Sequence, residues 1–95
     1  MAFFAVRYTY TDDTAGLDRV RPSHRSFLAS LTDGPLVASG PLAGADQPSA
    51  LLLLRAESAA EVTGALDPDP FWEAGLIAER AVEEWNPIIG IFAEN

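Results

Sequence analysis

Cysteine and lysine are both missing from the sequence, and histidine and methionine each occur once. Without cysteine there is no disulfide framework, no thiolate nucleophile and no cysteine metal site, which suits a reducing compartment. Without lysine, six arginines stand alone against fourteen acidic residues, giving a formal charge of -8. That balance argues against a nucleic-acid backbone or an anionic membrane as partner, and leaves the acidity to serve solubility. No apolar run reaches transmembrane length. The opening Met1-Ala2-Phe3-Phe4-Ala5-Val6 is apolar but too short for a signal peptide and lacks its basic start, so a soluble, cytoplasmic protein is expected.

What is present is apolar: 48% of the 95 residues are hydrophobic and nine are aromatic, which predicts a packed fold rather than disorder. The length suits one domain over residues 1–95, with a core small enough to gain from an additional buried interface. Residues 3–10 alternate, with Phe4, Val6, Tyr8 and Tyr10 on one side, and read as a first strand. Residues 11–19, with Asp12, Asp13, Gly16 and Asp18, read as a solvated loop. A helix is expected over 22–33, begun by Pro22 and ended near Gly34.

That helix carries the only histidine. His24, Phe27, Leu28 and Leu31 fall at helical spacing on one face, with Arg21, Arg25 and Asp33 off it. One turn from a helix N-terminus and drawn towards the core, the imidazole is expected to be neutral at about pH 7, ready to accept a proton. A hydrogen-bonded core histidine would show the same pattern.

Residues 35–42 form a short strand in which Gly40 permits a close backbone approach or an unusual φ, and Pro41 stops or bulges the ladder. Ser39 beside them is a site candidate or simply part of a shaped strand end. Ala50-Leu51-Leu52-Leu53-Leu54 is apolar at every position, so both faces are expected to be buried, one under helices and the other against a second copy of the chain. Ser58 with Glu61 is a capping box for a helix over 59–66, which Pro68 and Pro70 terminate. Asp67-Pro68-Asp69-Pro70-Phe71-Trp72 is a proline-stiffened turn holding two carboxylates at fixed places, either for a site or to satisfy local N–H groups. Residues 76–85 read as a last strand, and 86–92 as a terminal strand or coil packed on the chain's own sheet or on a partner.

Strand, helix, strand, strand, helix, strand is the α+β, ferredoxin-like βαββαβ pattern. Arg21-Pro22-Ser23-His24, Asp33-Gly34, Ser39-Gly40-Pro41-Leu42 and Asp69-Pro70-Phe71 with Ala74-Gly75-Leu76, in this order, resemble the YciI-like (YCII-related) proteins. The resemblance implies a dimeric α+β barrel in which two sheets pack face to face. It also implies that His24 and Asp69 form an active-site pair, since members are similar in having a histidine in the first helix and an aspartate before Pro-Phe or Pro-Tyr. At least one relative is a cofactor-independent dehydrochlorinase of a hydroxylated aromatic. The sequence departs from the pattern in its duplicated Asp-Pro, which leaves open whether Asp67 or Asp69 meets His24, and in a short connection between Leu42 and Ala50.

The function expected is a cofactor-independent lyase or isomerase acting on an apolar or aromatic small molecule. His24 and Asp69 are its catalytic pair, Arg21, Ser39, Gly40 and Phe71 its substrate-binding residues, and Arg7 a further candidate for a carboxylate or phenolate. The alternative is a non-catalytic dimeric module that binds a small molecule. No cofactor is expected: for haem the lone His24 is a weak signal, and a divalent metal on His24, Asp67 and Asp69 lacks recognisable ligand spacing.

Overall fold

The computed structural model describes residues 1–93. Strand β1 (Ala2–Tyr10) leads into helix α1 (Thr14–Ser30), strands β2 (Leu36–Pro41) and β3 (Ser49–Ala56), helix α2 (Ala59–Leu66), a one-turn helix α3 (Pro70–Glu73) and strand β4 (Ile77–Trp85). The sheet order β2-β3-β1-β4, antiparallel throughout, is the ferredoxin-like arrangement expected from the sequence. Helix α1 packs on α3, and α2 on β3 and β4. Between helices and sheet lies the core, centred on Val6, Tyr8, Leu52, Leu54, Val62, Leu66 and Phe71.

The first helix begins eight residues earlier than expected. Asp13 caps it, its carboxylate accepting the Gly16 N–H at 2.9 Å, so the acidic stretch read as a loop supplies a cap and the first turn. Gly16 fits tightly there, since a Cβ would lie 2.5 Å from Asp13 Oδ2 and 3.0 Å from Leu76 Cδ2. Pro22 sits inside the helix, exposed, where it forgoes the bond to the Asp18 carbonyl. His24 therefore lies in the third turn, and the positive helix end invoked from the sequence is not beside it. The far end closes at Leu31, without a left-handed Gly34.

Within the single chain, strand β3 is buried on one face, and its other face is the one expected to meet a second copy. Ala50, Leu52, Leu54 and Ala56 face the helices, while Leu51 is 45% exposed on the other face. Arg7 and Ala81, which flank it in register with β1 and β4, are exposed there too. At one end this face is covered by the tail, where Phe92 packs 5.4 Å from Phe3 and 6.4 Å from Trp85. Residues 86–92 form no strand, and Ile88, Ile89 and Ile91 are exposed. Helix α2 has the expected bounds, with Ser58 Oγ accepting the Glu61 N–H.

Candidate active site

The site is organised on Asp69, which is 0% exposed. The Asp-Pro pair read as a stiff turn starts a helix: Asp69 is the N-cap of α3, Pro70 takes its first turn, and Asp69 Oδ1 accepts the Phe71 N–H at 3.0 Å. Two further elements reach the same carboxylate. From β1, Tyr8 donates its hydroxyl to Oδ2 at 3.1 Å. From α1, His24 Nδ1 lies 2.8 Å from Oδ1 and 3.1 Å from Oδ2. A carboxylate only accepts, so these contacts assign the Nδ1 proton to the imidazole and leave Nε2 for a ligand. The ring, 8% exposed as a residue, stacks on Phe71 with centroids 4.1 Å apart and planes 18° apart. Phe71 thus fixes both partners, Asp69 through its backbone and His24 through its ring.

Two tyrosines complete the surroundings. The Tyr8 hydroxyl is shifted well above the usual phenol range, first by burial and then by the Asp69 charge and hydrogen bond. Tyr10 is pushed up to about 12 by burial and by Asp69, with Arg21 opposing. Its ring meets Phe71 edge-on at 5.4 Å and Tyr8 at 6.2 Å.

His24 and Phe71 form part of the wall of a cleft of about 710 Å³ between α1 and the β2–β3 half of the sheet. Arg21, Ser39 and Gly40 also line it, so the expected substrate-binding residues share one cavity with His24. Arg21 is held by Asp18 at 2.6 Å. Around Gly40 a Cβ would meet nothing within 4 Å and φ is not left-handed, so neither reason given for a glycine there applies. Asp67 is 58% exposed at its side chain and pairs with Arg80 at 2.9 Å, while the Arg80 guanidinium lies 3.8 Å over Trp72. The carboxylate that meets His24 is Asp69, and the trio with Asp67 is not assembled. Among the described residues no group of three or more histidine, cysteine or acidic side chains is placed to hold a metal. Arg7, on the far side of the sheet, is not part of the cleft.

Sequence reasoning passed over Tyr8, Tyr10 and Arg25, all of which touch the pair or the cleft. Half of the signal for the first was available: a tyrosine on a core-facing strand position needs a partner for its hydroxyl, but 61 positions separate it from Asp69 and spacing does not join them.

A ferredoxin-like α+β fold holding a buried histidine–carboxylate pair at the wall of a cleft defines the class. The chain belongs to the YCII-related domain family, whose model matches residues 1–86. It is similar to 5-chloro-2-hydroxyhydroquinone dehydrochlorinase (TftG) from Burkholderia phenoliruptrix AC1100, solved in complex with 2,5-dihydroxybenzoquinone. That likeness is 27% identity and a TM-score of 0.76, over 88% of this chain and 93% of that one. The fold alone is shared with a NIPSNAP domain protein from Burkholderia xenovorans, at 12% identity, full coverage of both chains and a TM-score of 0.57. It is shared likewise with SnoaB, a cofactor-independent oxygenase from Streptomyces nogalater, at 15% identity, 96% of each chain and a TM-score of 0.53. No curated protein matches the sequence significantly. Among the described residues no helix is long and apolar enough to cross a membrane.

Proposed function

We propose that the protein is a cofactor-independent lyase or isomerase for a hydroxylated aromatic or quinonoid small molecule, with His24 as acid/base and Asp69 as the group that orients it. The observation that carries this reading is the 2.8 Å contact between His24 and a fully buried Asp69 at the wall of the cleft. Nε2 takes a proton from the ligand, and the imidazolium formed is stabilised by the Asp69 carboxylate. The proton then returns at another position of the ligand, which is isomerisation, or leaves with a departing anion, which is elimination. Both close without a cofactor. The similarity to a dehydrochlorinase supports elimination as the first reaction to assay.

The same reading makes the protein a homodimer. The uncovered sheet face around Leu51, Leu53 and Ala81 is the surface a second copy would close into a barrel. Sedimentation equilibrium on Leu51→Arg tests it: a monomeric variant from a dimeric parent supports this face as the interface, and a parent that is itself monomeric removes it.

For the chemistry, chloride release and the ultraviolet-visible spectrum are followed with chlorinated hydroxyhydroquinones. Turnover that falls by about 10²–10⁴-fold in His24→Ala supports the acid/base role. Binding by the parent without turnover assigns a binding module instead, and turnover that survives His24→Ala removes the pair from the mechanism.

A further inference from the structure

We propose that Tyr10 is a third catalytic residue, whose hydroxyl donates a hydrogen bond to an oxygen substituent of a planar ring held in the cleft beside His24. This rests on the reading of the cleft as a site for hydroxylated aromatic or quinonoid molecules and adds the group that polarises the ligand oxygen.

Tyr8 and Tyr10 lie two residues apart on one strand and differ in what their hydroxyls do. Tyr8 donates to Asp69, whereas the Tyr10 hydroxyl has no hydrogen-bond partner among the described residues and the side chain lines the cleft. The side chain is half-buried and its hydroxyl is open to solvent rather than sealed without a partner, so a donor fixed in the cleft wall is suited to a ligand.

Its position is fixed from several sides. The register between β1 and β4 shifts between Thr9 and Tyr10, an irregularity that re-aims the side chains next to it. The Tyr10 N–H donates to the Pro48 carbonyl at 2.9 Å, and the Gln47 amide donates to the Tyr10 carbonyl at 2.9 Å. The ring is wedged edge-on against Phe71, itself stacked on His24. Tyr10 and His24 thus flank the same phenyl ring, one offering an O–H donor and the other the Nε2 atom. With its ionisation pushed up to about 12, Tyr10 keeps its proton at neutral pH and remains a donor. Arg21, close enough to oppose that shift, adds positive potential where charge would grow on a ligand oxygen.

The test is titration of the protein with 2,5-dihydroxybenzoquinone, followed by its visible absorbance, for the parent, Tyr10→Phe and His24→Ala. Tyr10→Phe keeps the ring that touches Phe71 and Tyr8, and circular dichroism melting is expected to be unchanged. The expected result is binding by the parent, weakened by about tenfold in Tyr10→Phe, with the ¹³Cζ resonance of Tyr10 moving on addition of the quinone. If Tyr10→Phe binds as the parent does while His24→Ala does not, the Tyr10 role is overturned and the cleft reading stands. If the parent fails to bind the quinone, ligand class and Tyr10 role fall together.

Discussion

Asp67 and Asp69 are two residues apart, each is followed by proline, and their environments are opposite. Asp67 is solvated and meets one arginine, itself stacked on Trp72. Asp69 is sealed from solvent and accepts from a backbone N–H, a phenol and an imidazole contributed by α3, β1 and α1. Nothing in the dipeptide distinguishes them. The difference lies in what the fold brings to each, and it teaches that a carboxylate's role here is set by its donors rather than by its local sequence.

Removing the Asp69 side chain should have the largest effect on that contrast. Asp69→Ala leaves three donors facing an apolar void, and a loss of about 3–5 kcal/mol in urea unfolding is expected. An equal loss in Asp67→Ala would erase the distinction. Tyr8→Phe subtracts one of the three donors to a buried carboxylate without opening space and should cost about 1.5–3 kcal/mol by the same assay. A third prediction concerns alkaline pH. The raised folded-state values of Tyr8 and Tyr10 mean that the unfolded chain loses these protons first, so the stability they contribute is full below about pH 10 and declines as pH rises towards about 12. Melting temperature measured across that window should fall, and fall less steeply in Tyr8→Phe; a flat profile would refute the burial of these hydroxyls. Smallest is Asp67→Asn, which weakens an exposed ion pair and should change stability by about 0–1 kcal/mol.

The same contrast explains what was legible in the sequence. Alternation along β1, the Ser58 capping box and the order of elements depend on local periodicity, and they led to the sheet topology and to the bounds of α2. The start of α1 was hidden because Asp13 and Gly16 favour turns when read alone. Only with Leu76 packed against Gly16 do they become a cap and a close-fitting first turn. The proline at position 22 pointed to a helix start because the bond it forgoes is invisible in sequence. Asp69 and His24 were paired through family resemblance; spacing alone had no means of joining residues 45 positions apart. Asp69-Pro70 did carry a local signal, an N-cap followed by proline, that was read as a turn. One carboxylate satisfies its neighbour's N–H and also meets the imidazole, so the local contact and the long-range one are made by the same group.

The two edges of the sheet are closed by different chemistry. On β2 the ladder is broken at Val37 and ends at Pro41, which has no N–H to offer. On β4 the exposed Glu79, Glu83 and Glu84 place carboxylates along the rim. A neighbouring chain that tried to add a strand would meet a kink on one side and like charge on the other, given a formal charge of -8. Fibre-like sideways growth is thereby discouraged at both rims, and association through the sheet is directed to its broad surface.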